Sequence, residues 1–469
     1  MSRFSDLLSD AVHDSGISIS RLAAKCRLGR SAVSHAVAGD FLPTVDFVRS
    51  LCSVLPVTPE KQRLITETYM EEKLGAHYPA FKRITALISS LPSTHSDTNE
   101  VEQLIVDKTP VTKNDFSTAD NRTDVTTMCM NVVLDEMLRD DPHIIITIPV
   151  SHEDLFTTLV QTINSVGGRI RIDHFGRLLS GSGFEANFDK IRTGLFFCTF
   201  SNIDYHSYYY YSNAGECEDF FPPYPYCVSS SRCSVFVNDS LTMGLMCPYQ
   251  PLKRQMDEYF TLLMRKSKPF FTMIEPDDIL YVHARNKGRF ISSIGYMPCF
   301  SSMFSPDMMH SRLLDEYKTG KIELMHRHTD KAEAYHKYPS HNYFSADGLY
   351  EFARTGVLRG IPGEYLRTFP PGERIELLEE LRSSNYDIID SDSLSVSNIQ
   401  ITIPGERTVI ICVSGSQSTF CCRIDEVFLA DGFDSFIRSL GKVGYLLADD
   451  EKALVVDECI RIASQCVDI

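Results

Sequence analysis

Ser18-Ile19-Ser20-Arg21-Leu22-Ala23-Ala24-Lys25-Cys26-Arg27-Leu28-Gly29-Arg30-Ser31-Ala32-Val33-Ser34-His35-Ala36-Val37-Ala38-Gly39 is the stretch on which the reading turns. Ser18 suits a helix N-cap, and Leu22, Ala23 and Cys26 then recur at helical spacing. A break at Leu28-Gly29 is followed by Val33, Ala36 and Val37 at the same spacing. Gly39 suits the left-handed residue that ends a helix. Two short helices joined by a tight turn make a helix-turn-helix, with small Ala23 at the crossing because the two backbones pass close together.

Working outward, Phe4, Leu7, Leu8, Ala11 and Val12 predict a preceding helix that Gly16 stops. Pro43 opens a following segment, in which Val45, Val48, Leu51, Cys52 and Leu55 face inward. In such an arrangement the second helix of the pair offers its N-terminal half to the DNA major groove. The residues there are Arg30, Ser31, Ser34 and His35, of which the arginine suits guanine edges. Arg21, Lys25 and Arg27 are candidates for phosphate contacts. No acidic residue lies between Asp14 and Asp40, although the whole chain carries a net charge of -16. A general coat for nucleic acid would be basic over most of its surface, so any DNA contact must be confined to this patch.

The run Leu22-Ala23, then Leu28, Val33-Ser34, Gly39 and Pro43, resembles the Cro/phage-repressor (XRE) family of helix-turn-helix domains over roughly the first sixty residues. The resemblance implies a head that binds double-stranded DNA. Two positions depart from it. Ile19 stands where the family often has a glutamine that braces a phosphate contact, and Val37 where it often has a glutamate. The alternative is a head that serves protein interaction instead.

Thr58-Pro59 opens a helix carrying Leu64, Ile65 and Tyr69, and another follows Pro79 with Phe81, Ile84, Leu87 and Ile88 on one stripe. These stripes either pair two heads in a homodimer, as a palindromic site requires, or dock on the body. From Pro92 to about Thr127 the chain is polar and reads as a linker. Beyond it, His143-Ile144-Ile145-Ile146-Thr147-Ile148-Pro149 reads as a buried strand. Ser151-His152-Glu153-Asp154 reads as a capping box for a helix with Leu155, Phe156, Leu159, Val160 and Ile163 inward. A strand from Arg169 to Asp173 completes a βαβ unit. Further strands are expected at Gly194 to Phe200, Ile399 to Ile403, Val409 to Val413 and Thr419 to Ile424, the last three antiparallel. Helices are expected at Leu252 to Lys266, after Ser305-Pro306, from Ser345 to Arg354, at Pro371 to Arg382, near Phe433 to Leu440 and at Asp450 to Ser464. The expected fold is α+β and multidomain: an all-α helix-turn-helix head on a mixed α/β body. The divisions are 1–75 for the head, 76–125 for a helical connector and linker, 126–345 for an α/β sensor domain and 346–469 for an α+β subdomain.

Chemistry is sparse. No glycine-rich phosphate loop follows the first strand, and Ser180-Gly181-Ser182-Gly183 reads as a turn. His326, His328, His336 and His341 match no zinc module, and the gaps between Cys217, Cys227 and Cys233 are too wide for one. Vicinal Cys421-Cys422 point to opposite faces if they lie in a strand, which predicts one exposed thiol. Tyr205, Tyr208, Tyr209, Tyr210 and Tyr211 are candidates for a ligand pocket, because tyrosine joins an apolar ring to a hydrogen-bonding tip. No catalytic set, metal site or cofactor is expected. The longest apolar run, Ile144 to Val150, is only strand-sized, and no secretory signal opens the chain, which predicts a cytoplasmic protein without a membrane span. Met297-Pro298-Cys299-Phe300 and Phe344-Ser345-Ala346-Asp347-Gly348-Leu349 resemble segments of large regulators of Firmicutes-type bacteria. The function expected is a homodimeric, sequence-specific DNA-binding transcription regulator whose body senses a small-molecule or protein effector. The alternatives are an enzyme or toxin-like body that uses the head for targeting, and an interaction scaffold.

Overall fold

The computed structural model describes residues 2–90, 116–179, 183–198, 200, 202–212, 225–248, 250–274, 292–298, 300–315, 341–359, 365–384, 386–397, 399–405, 407–414 and 419–466. The head consists of α1 (Arg3–Asp14), α2 (Ile19–Cys26), α3 (Arg30–Ala38), α4 (Val45–Val54) and α5 (Pro59–Leu74). Phe4, Leu8, Leu22, Val33, Val48, Leu51, Ile65 and Tyr69 form its core. Each such side chain contributes about 2 kcal/mol by leaving water. The Tyr69 hydroxyl donates to the Pro43 carbonyl at 3.0 Å, and its ring meets Phe4 edge-on at 5.3 Å, so α5 closes the bundle.

The next helix, α6 (Tyr78–Ser90), belongs to the body. Phe81, Ile84, Leu87 and Ile88 are buried in the body's largest core, with Phe81 5.2 Å from Phe436 and 5.5 Å from Tyr445. Of the two roles open to this stripe, it takes docking within the chain.

The body follows as β1 (Ser117–Ala119), α7 (Arg122–Met137), β2 (His143–Ile146), α8 (Glu153–Val166), β3 (Ile170–Leu179), α9 (Gly183–Cys198) and β4 (Ile203–Ser212). Next come β5 (Tyr226–Ser229), β6 (Ser234–Val237), β7 (Gly244–Cys247), α10 (Gln250–Lys266), β8 (Lys268–Ile274), β9 (Ser292–Gly295) and α11 (Pro306–Arg312). Then follow β10 (His341–Ser345), α12 (Ala346–Thr355), α13 (Pro371–Ser383), β11 (Asp387–Ile389), β12 (Ile399–Gly405), β13 (Thr408–Ser414) and β14 (Thr419–Ile424). The helices α14 (Val427–Ser439) and α15 (Asp449–Gln465) close the described chain. The described strands form one 14-stranded sheet, in the order β1-β7-β6-β5-β2-β3-β4-β8-β14-β13-β12-β9-β10-β11. β2, β3 and β4 run parallel, as do β9, β10 and β11. β8 pairs antiparallel with both β4 and β14 and so joins the two halves. The architecture is α+β, with helices before and on a mixed sheet.

The βαβ unit forms as β2-α8-β3, and the hairpins β12-β13-β14 are antiparallel as expected. Four expectations fail locally. The run Gly194 to Phe200 is no strand, because Gly194 to Cys198 is the last turn of α9. A Cβ at Gly194 would lie 2.3 Å from the Phe271 ring, so the glycine lets the helix approach β8 closely. The capping box at Ser151 is absent: His152 takes the N-cap of α8 and makes no side-chain capping bond. The end of the polar run is structured, since Asn121 caps α7 by accepting from Asp124 N at 2.9 Å. Cys421 and Cys422 do point to opposite faces, yet both are buried, because the sheet is covered on both sides there. Of the histidine cluster, only His341 falls within the described residues.

Candidate nucleic-acid interface

Helix α2 starts at Ser18, whose hydroxyl accepts from Arg21 N at 3.4 Å. It ends with Arg27 in the left-handed conformation at φ 55°. There Arg27 N donates to Ala24 O at 3.3 Å and Leu28 N to Ala23 O at 2.9 Å, the paired bonds of a Schellman ending. Glycine is the usual residue in this conformation, and an arginine holds it at a cost of about 1 kcal/mol. Gly29 caps α3, and Gly39, at φ 78°, ends it. Leu22 and Ala23 of α2 and Val33 and Ala36 of α3 are buried, so the remaining faces of both helices turn outward.

All seven residues assigned to DNA are exposed in the intact chain: Arg21, Lys25, Arg27, Arg30, Ser31, Ser34 and His35. Among the described residues, none of the four cations is in an ion pair, in contrast to Arg3, Arg49, Lys61 and Arg63 elsewhere in the head. An unpaired cation exchanges only water and counterions when a phosphate arrives. His35 differs from the rest. Its Nδ1 lies 2.6 Å from Asp40 Oδ2, so a base contact by His35 has to share or break that bond. Ile19 and Val37, the departures from the family pattern, are half-buried against the head core and extend it.

α4 of the head faces the body. Arg49 of α4 donates to Ser393 Oγ at 2.6 Å and to Gly444 O at 3.0 Å. A Cβ at Gly444 would lie 2.2 Å from Val45 Cγ1, so backbone and helix touch directly. This docking leaves α2 and α3 uncovered.

The five tyrosines do not gather in one pocket. They lie on β4, whose side chains alternate between faces. Tyr205 is buried, stacked 4.6 Å from Phe197, with its hydroxyl 2.9 Å from His174 Nδ1. Tyr209 and Tyr211 share that face and donate to Asp425 O at 3.3 Å and Glu426 Oε1 at 2.8 Å. Tyr208 and Tyr210 lie on the other face, where Tyr208 stacks 5.1 Å from Phe175.

A cleft of about 710 Å³ opens instead between α10 and the sheet face made by β5, β2 and β3. Asp173 is buried in it, with His143 Nε2 at 2.9 Å and Arg171 Nε at 3.1 Å. Burial pushes the Asp173 carboxyl up, but the bonds from His143 and Arg171 outweigh it and hold it below its ordinary range. Lys253 is buried and paired with Asp257 on the next turn of α10. Glu136 is buried and accepts from Ser231 Oγ at 2.6 Å and Ser231 N at 3.0 Å. The cleft lies where β2 and β3 begin, whereas doubly wound sheets hold ligands at the strands' carboxyl ends. Sequence reasoning missed these residues because they come from α7, β2, β3, β5 and α10. One available signal was Asp173, a carboxylate on a strand that otherwise reads as buried.

No protein-family model matches the chain, and no curated protein matches it.

Proposed function

We propose that this chain is a sequence-specific regulator that binds double-stranded DNA through α2 and α3 and senses an effector through its body. One observation carries the reading. On a chain of net charge -16, Arg21, Lys25, Arg27 and Arg30 stand exposed on one helix-turn-helix and, among the described residues, without ion pairs, while the head docks on the body through α4. Arg30, Ser31 and Ser34 read bases; Arg21, Lys25 and Arg27 hold phosphates. The protein works in the cytoplasm as a homodimer on a palindromic site. Its dimer contact lies outside the stripe of α6, which is spent inside the chain.

The test is a titration of the full chain against genomic fragments, including its own upstream region, at two salt concentrations. Selective binding that weakens with salt is expected. Arg30→Ala should weaken the preferred fragment by roughly tenfold or more and relax one base position. Salt-independent or non-selective binding, or an Arg30→Ala variant with full affinity, counts against the assignment.

A second reading, a catalytic body, is favoured by the His143–Asp173 pair in the cleft, an arrangement that suits a general base. Turnover of a small substrate that His143→Ala abolishes would support it.

A further inference from the structure

The charges lining the cleft beneath α10 nearly all answer one another. Lys253 is matched by Asp257, and Asp173 by His143 and Arg171. Glu136 accepts from Ser231 and has Arg139 Nε at 3.7 Å. Two charges are left among the described residues of the lining. Asp141 and Arg265 both line the cleft, both are exposed, and neither has an ion pair among the described residues. What remains is one negative and one positive group.

His143 adds a direction. When neutral, with Nε2 donating to Asp173, its Nδ1 is a hydrogen-bond acceptor. An acceptor imidazole and the carboxylate of Asp141, both on the lining of the cleft, suit a cationic donor. Arg265, on the last turn of α10, makes a place for an anion. The lining also offers the apolar side chains of Ile145, Phe175, Phe260 and Met264. α10 crosses the strands from the β5–β6 turn, where Gln250 Nε2 reaches Arg232 O at 3.4 Å, to β8, which it feeds directly. Arg265 thus sits at the β8 end of the helix.

We propose that this cleft binds an amphipathic zwitterion of the amino-acid or dipeptide class. Its ammonium group lies at Asp141 and His143, its carboxylate at Arg265, and its apolar side chain along Phe175, Phe260 and Met264. The volume suits a molecule of dipeptide size. The assignment rests on the reading of the body as the sensing half and names what it senses.

The test is calorimetric titration of the full chain, without DNA, using L-leucine, L-phenylalanine and L-leucyl-L-phenylalanine. N-acetyl-L-leucine and L-leucinamide, each lacking one charge, serve as matched controls. Saturable binding of at least one zwitterion is expected, with its charge-blocked form at least tenfold weaker. Asp141→Ala and Arg265→Ala are surface changes and should keep the thermal unfolding profile while weakening binding at least tenfold each. No saturable heat with any zwitterion up to about 10 mM, equal binding of the blocked forms, or full affinity in both variants would overturn the assignment. Because no DNA is present, such a result leaves the head's reading intact, and a failed DNA titration leaves this one intact.

Discussion

His174 shows what burial does to a single side chain. It lies next to Asp173 in sequence but on the other face of β3, with Nε2 2.9 Å from Ile148 O and Nδ1 2.9 Å from the Tyr205 hydroxyl. Burial pushes its pKa down to about 4, so the folded protein holds it neutral. The unfolded chain takes up the proton near the ordinary histidine value of about 6.5. Stability from this site is therefore complete above about pH 6.5 and falls as pH drops toward 4, by about 2 kcal/mol between pH 7.5 and 5. Urea unfolding at those two pH values checks this: the wild type should lose more than His174→Gln, and equal losses would refute it. At this scale the sequence was uneven. Arg21, Lys25 and Arg30 were legible because their exposure follows from helical spacing, and Arg27 because it falls in the turn between the helices. The five tyrosines misled because the two-residue repeat of β4 sends neighbours to opposite faces.

The turn from α2 to α3 has the same mix of local rule and exception. Leu28-Gly29 announced the break, but nothing in the sequence marked Arg27 as the left-handed residue. Arg27→Gly should relieve that conformation and stabilise the chain by up to about 1 kcal/mol, net of the greater freedom of glycine when unfolded. The same change should weaken DNA binding and lower the steepness of its salt dependence by about one phosphate contact. Denaturant midpoints read the first effect and titrations at several salt concentrations the second; a loss of stability would show that the αL arginine is unstrained. Elsewhere, helix ends with local caps were legible, as at Ser305 and Ser345. The C-terminal half of α9 was not. Leu195, Phe196 and Phe197 form a strand-like apolar run, and the reason for Gly194 lies on β8, some seventy-five residues along the chain.

The whole molecule was the least legible scale. A sheet that joins its halves through β8 depends on pairings between distant segments, which no local pattern encodes. The sequence left open whether the helices after the head pair two heads or dock on the body. In the fold, α6 is sunk in the body's main core, Arg83 reaches Asp189 at 2.8 Å, and α4 rests on Gly444. Residues 1–90 therefore dock on the rest through both α6 and α4. Separately produced pieces spanning 1–90 and 116–469 should reassemble when mixed and co-migrate in size-exclusion chromatography. Gly444→Ala, which drives a methyl group into Val45, should weaken that reassembly, and pieces that stay apart would argue against it. Reassembly would make the covalent connection between the two pieces dispensable for their geometry. A split protein with the gene cut between them would make DNA recognition a property of two partners present together, a logical conjunction written into the packing of one helix.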